Sequence, residues 1–271
     1  MSEAFVWYGG VDFSGAREPL SNLWSALGRE EDGKLTIHCL RPHAYRADLC
    51  AYVAGGWRTT VDAVEQQRAL WGVDFPFGIP AEAAEHLCGA KSTSWETLLA
   101  WVADRPPEEV RASIPEPLRT PRLTDTGGAL APFDLRVYKQ TVEGLRWLYE
   151  LRETTRTSVH PQHPVEGAST TIIEVSPSVT VQELGLPRRR SPGRPGESRA
   201  RAAALRTFVN FADPGVEAIA VTLEDAWDAT IACLSGWMAR DDLDQPFRTS
   251  VHVPETLALE GWIYRPPESL S

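Results

Sequence analysis

The chain of 271 residues is short of lysine: Lys34, Lys91 and Lys139 are the three present, so 24 of its 27 basic side chains are arginines. No uninterrupted apolar stretch reaches about 18 residues, which excludes a membrane-spanning helix from the expectations. The N-terminal residues Met1 to Gly10 lack a basic segment followed by an apolar one, so no secretory leader is expected. Cysteine is sparse: Cys39, Cys50, Cys88 and Cys233 are widely spaced, with no C-x-x-C pair. A chain of this size needs no covalent staples, and these read as reduced core thiols of a cytoplasmic protein. No Gly-x-Ser-x-Gly elbow is present, which removes support for Ser-His-Asp hydrolase chemistry.

What is present describes a globular protein. Hydrophobic residues make up 42% and charged residues 24%, and the formal net charge is -10. A chain of this length buries roughly 70 to 75% of its unfolded surface, enough for a large core. An acidic balance disfavours indiscriminate adhesion to polyanions. The charge is nevertheless segregated: Arg188 to Arg206 holds seven arginines against Glu197, a local +6 against -16 for the remainder. Arg188, Arg189, Arg190 and Arg194 form the Pro- and Gly-rich part of that segment. It reads as a phosphate-contacting loop, a solvated loop, or a contact with an acidic surface of another subunit.

Val6 to Ser14 reads as a buried strand, Trp24 to Leu27 as a short strand, and Lys34 to Leu40 as a half-buried strand with Leu35, Ile37 and Cys39 inward. Joined by short polar turns, these predict an antiparallel meander. Helical patterning over 46–69 precedes another strand at Leu70 to Phe75, stopped by Pro76 and Pro80. Helices are predicted at Ala81 to Cys88, Trp95 to Ala103, Phe133 to Glu153, Glu197 to Phe211 and Leu223 to Ala239. Thr170 to Val175 is a further strand, and Gly261 to Tyr264 a short last one. With Pro106 to Pro132 an irregular excursion, the order predicts one mixed-sheet α/β domain over 1–271, with insertions at about 106–132 and 186–200.

The informative acids lie inside apolar elements. Asp12 stands in Gly10-Val11-Asp12-Phe13-Ser14-Gly15, Asp74 in Gly72-Val73-Asp74-Phe75-Pro76, and Glu174 in Ile172-Ile173-Glu174-Val175. A carboxylate in such surroundings is costly to ionise without a cation or several donors. Each is read either as a strand-end acid paired with a loop or an arginine, or, with the others, as a ligand of a shared divalent metal. The tetrapeptide Gly-Val-Asp-Phe occurs twice, too little to establish a repeat. Asp225 and Asp228 lie three apart on the last long helix and are therefore neighbours on its surface. Ala229, Ala232 and Cys233 give that helix a small-residue face suited to close approach to a sheet, with Asp228 at its border. Asp225 is either a second ligand or a favourable charge in the first helical turn.

These motifs, with Ile173-Glu174-Val175-Ser176-Pro177-Ser178, Asp225-Ala226-Trp227-Asp228-Ala229 and the ending Glu260-Gly261-Trp262-Ile263-Tyr264-Arg265-Pro266, resemble the domain-of-unknown-function 429 (DUF429) family. The resemblance implies an RNase H-like fold: a mixed five-stranded sheet, three antiparallel strands followed by parallel strands with flanking helices, and helical insertions. It also implies a nuclease in which Asp12, Asp74 and Asp228 are the catalytic carboxylates and Glu174 and Asp225 auxiliary ligands. Two Mg²⁺ or Mn²⁺ ions about 3.5 to 4 Å apart would activate water and stabilise the leaving oxygen; hard cations suit an all-oxygen site.

Arg119-Thr120-Pro121-Arg122-Leu123-Thr124-Asp125 resembles an Arg-x-Thr-Asp element of the family, with Arg122 either a phosphate ligand or an Asp125 partner that orders the loop. His160 and His163 have a ligand-like spacing that Pro161 and Pro164 argue against. The ten tryptophans read mostly as core by position, and Trp57 and Trp95, near polar neighbours, are the two that could stack on bases. The nucleic-acid partner, DNA or RNA, follows from the nuclease reading, with a non-catalytic RNase H-like scaffold as the alternative. An actin-like ATPase or kinase is disfavoured because no second glycine-rich phosphate loop is present.

Overall fold

The computed structural model describes residues 4–16, 22–64, 66–89, 93–154, 156–187, 196–249 and 254–267. The strands β1 (Trp7–Asp12), β2 (Trp24–Glu31) and β3 (Lys34–Pro42) form the expected meander, β1 and β3 each antiparallel to β2. The β2–β3 turn is made by Asp32 and Gly33 at φ of 52° and 76°. Positive φ at both central residues is the two-residue turn whose twist matches a hairpin, and Asp-Gly supplies it at low cost. Helix α1 (Arg46–Ala54) leads to β4 (Ala69–Asp74), and four helices follow: α2 (Ala81–Cys88), α3 (Trp95–Ala103), α4 (Pro107–Ala112) and α5 (Tyr138–Thr154). Then come β5 (Thr157–His160), β6 (Thr170–Val175), α6 (Pro177–Glu183), α7 (Glu197–Leu205), β7 (Val209–Phe211), α8 (Pro214–Thr222) and α9 (Glu224–Ala239). The chain ends in α10 (Gln245–Thr249), α11 (Pro254–Glu260) and β8 (Ile263–Tyr264).

The sheet order is β5-β6-β4-β1-β2-β3-β7, with β8 also pairing to β6. Its five central strands, β6-β4-β1-β2-β3, have the RNase H-like α/β arrangement: the meander comes first, then strands parallel to β1. Eight strands replace the five expected, because short β5, β7 and β8 extend the edges. β7 runs on from a helical pattern, so the predicted helix 197–211 ends at Leu205. The excursion 106–132 is partly ordered as α4 and a short turn of 3₁₀ helix, Glu116–Leu118.

Alternation along the strands sends side chains to two cores. Trp7, Val11, Trp71, Val73 and Ile172 pack with Leu98, Leu145 and Leu148 from α3 and α5. Tyr8, Leu70, Ile173 and Val175 pack beneath Ala229, Ala232, Cys233 and Leu234 of α9. Trp57 is fully buried and Trp95 is buried with its indole N–H donated to the Phe77 carbonyl at 2.7 Å. These two rings therefore serve the core, and the expectation that they stack on bases is corrected. None of the four cysteines is in a disulfide. No helix among the described residues is long and apolar enough to cross a membrane.

Candidate functional site

β1 and β4 run parallel with Gly10 opposite Gly72, Val11 opposite Val73 and Asp12 opposite Asp74. The duplicated Gly-Val-Asp is thus one structural device used on two adjacent strands. Residues two apart share a face, so both glycines lie beneath α9 on the face that carries both aspartates. A Cβ on Gly10 would fall 2.1 Å from the Ala229 carbonyl oxygen and from the Cys233 amide nitrogen. A Cβ on Gly72 would fall 2.4 Å from the Ala232 carbonyl oxygen. Glycine at these positions lets the helix backbone lie on the sheet, and that contact brings Asp228, one residue before Ala229, to the strand ends.

Asp12, Asp74, Asp225 and Asp228 line one cleft of about 790 Å³. It lies beyond the carboxyl ends of β1 and β4, where open α/β sheets gather ligands. Each of the four keeps partial exposure. Burial, then the negative charges of Asp228 and Glu174, hold the Asp74 carboxyl well above the usual carboxylate range. Arg136, Lys139 and Gln140 line the same cleft; Gln140 donates its amide N–H to the Asp74 carbonyl and fixes that strand end. These three escaped the sequence reading. The signal was available in the polar start of α5, but nothing local says that this turn faces β1. That placement depends on Gly15, whose Cβ would stand 2.2 Å from the Gln140 amide nitrogen.

Glu174 is on the other face. It lies opposite Val73, so Val175 is the residue that stands beside Asp74. Its oxygens receive Arg122 Nη2 at 2.5 Å, Arg122 Nη1 at 2.8 Å and the Phe77 amide at 2.9 Å. Arg122 also donates to Asp125 at 2.8 Å and to the Glu260 carbonyl at 2.8 Å. The arginine side chain is 0% exposed, which corrects its expected contact with a phosphate: it ties the 119–126 loop to β6 and α11. Glu174 and Asp125 hold it charged, raising its pKa above the usual arginine range against the opposing effect of burial. Burial likewise pushes the Glu174 carboxyl up, opposed by Arg122 and the Phe77 amide. Glu174 is accordingly engaged away from the cleft, in place of the auxiliary-ligand position the resemblance implied.

His163 Nδ1 lies 3.5 Å from Glu96 on α3, and its backbone forms a bridge with Val159 in place of a helix. Arg188, Arg189, Arg190 and Arg194 lie outside the described residues. Of the same segment, Arg201 is fully buried, paired with Glu224 at 2.9 Å and stacked on Trp227. Among the described residues, no group of three or more His, Cys, Asp and Glu side chains is disposed to hold a metal ion as it stands. The donor chemistry of the cleft fits a hard divalent cation; the ready-made convergence is not there.

No curated protein and no solved structure matches the chain. A family model, described as a protein of unknown function (DUF429), matches residues 10–250, which take in the Asp12 end of β1 and all of β4, β6 and α9 and leave the 260–266 ending outside. On that match across most of its length, the chain belongs to the DUF429 family.

Proposed function

We propose that the chain is a metal-dependent phosphodiesterase acting on nucleic acid, with Asp12, Asp74 and Asp228 as its catalytic carboxylates and Asp225 as an auxiliary ligand. One observation carries this reading: Asp12 and Asp74 stand side by side at paired strand ends, in one cleft with Asp228, and the charge of Asp228 opposes ionisation of Asp74. Like charges gathered on one face are held ionised at lowest cost by a cation, and an all-oxygen donor set selects Mg²⁺ or Mn²⁺. When bound, such an ion supplies an activated water and charge neutralisation at a phosphoryl oxygen.

The protein's part is positional. The Gly10 and Gly72 contacts with α9 fix the spacing between the strand ends and Asp228. Gln140 holds the Asp74 main chain in place. Burial and the charge of Asp228 favour the protonated form of Asp74, so a cation held there would be bound in competition with a proton.

In wild-type protein, Mg²⁺ or Mn²⁺ is expected to raise the melting temperature, by about 2.7 kcal/mol of stabilisation at roughly a hundredfold excess over Kd, and to support cleavage of DNA or RNA. Asp12→Asn is expected to lose both the shift and the cleavage. Undiminished cleavage by D12N overturns the assignment. A second reading, a non-catalytic scaffold, is favoured by the pairing of Glu174 with Arg122; it expects no thermal shift with metal and no turnover.

A further inference from the structure

The carboxylate cleft does not end at the carboxylates. A second cavity, of about 580 Å³, adjoins it and shares two lining residues with it, Gly15 and Lys139. Around this cavity the charges balance: Arg46, Lys139 and Arg146 against Asp104, Glu108 and Glu143. Two of the three cations are tied down. Arg46 lies 3.4 Å from Glu143 and donates to the Ser14 carbonyl at 2.9 Å; Arg146 lies 3.0 Å from Glu143 and donates to the Ala103 carbonyl at 2.7 Å.

Lys139 differs from them. Its ammonium meets Glu108 of α4 at 3.0 Å, and the two side chains are 51% and 61% exposed. A pair held in water of high dielectric is weak and readily exchanged. Lys139 lines both cavities, so an anion that displaced Glu108 would take over its ammonium within the cleft that also holds Asp12 and Asp74.

We propose that the two cavities form one groove for an extended phosphodiester chain, and that Lys139 grips a backbone phosphate at their junction after releasing Glu108. The inference rests on the nuclease reading for the class of ligand. It makes opposite demands on the two partners of one ion pair. Lys139→Gln removes the grip; Glu108→Gln removes the competitor and leaves the ammonium unpaired. A purely structural strut responds alike to both substitutions.

The test is fluorescence anisotropy of labelled single-stranded DNA and RNA oligonucleotides with wild type, K139Q and E108Q, in EDTA and again in Mg²⁺, with melting temperatures recorded. K139Q is expected to bind roughly tenfold more weakly and with a shallower salt dependence; E108Q is expected to bind more tightly, with neither melting temperature changed. A nucleoside monophosphate at equal phosphate concentration is expected to compete poorly. Equal binding by wild type and K139Q, weakening in both variants, or full competition by the monophosphate overturns the groove while leaving the cleavage assay to decide the nuclease reading. Absence of wild-type binding in both conditions overturns the groove and the nuclease reading together. The expected binding pattern without cleavage supports the groove and counts against catalysis.

Discussion

At the scale of single residues, face and partner decide what a carboxylate does. Asp12, Asp74 and Glu174 look equivalent in the sequence, each an acid at the end of an apolar run. Asp12 and Asp74 could be read as a pair because each follows a glycine by two residues, and that spacing puts glycine and acid on one face. Glu174 has no such glycine, and its register opposite Val73 follows from strand pairing that no local motif announces. Its partner, Arg122, is 52 residues away in sequence. Removing that partner leaves Glu174 and Asp125 buried without a counter-charge, so Arg122→Met is expected to cost about 3–5 kcal/mol in urea denaturation. A loss under about 1 kcal/mol contradicts the interior role given to Arg122.

At the scale of elements, the long and periodic segments were legible and the short ones were not. The expected strand 170–175 and the helices 81–88 and 95–103 coincide with β6, α2 and α3, because each has clear periodicity and a Pro, Gly or Ser boundary. β5, β7 and β8 are two to four residues long and owe their extended form to neighbouring strands. The small-residue face of α9 was legible, and the sheet glycines are its complement. Gly10→Ala sets a methyl group against the backbone of α9 at Ala229 and Cys233, where no side chain can rotate aside. The helix must lift, at an expected cost of about 1–3 kcal/mol or more, with Asp228 displaced from the strand ends. Wild-type stability and undiminished metal response in G10A contradict the account of this contact.

At the scale of the whole molecule, charge is the property whose meaning changed most. Net charge of -10 weighs against a general polyanion binder, and two arginines of the arginine-rich segment already have acidic partners. Arg201 is spent on Glu224 and Trp227, and Arg206 pairs with Glu217 at 2.6 Å. The cations that line the cleft are Arg136 and Lys139, on the approach to α5 and in its first turn. These were hidden in the sequence because their relation to Asp12 is made by the fold. Four acids and two cations line the one cleft, a composition that suits a phosphate together with its counter-ion.

The central claim is that the α9 face of β1 and β4 is a divalent-metal site, and a crystal soaked in Mn²⁺ measures that directly by anomalous scattering. The account predicts a peak bounded by Asp12, Asp74 and Asp228, absent from D12N crystals treated in the same way. A well-ordered cleft with no anomalous peak at saturating Mn²⁺, or a peak elsewhere that D12N leaves intact, would contradict it.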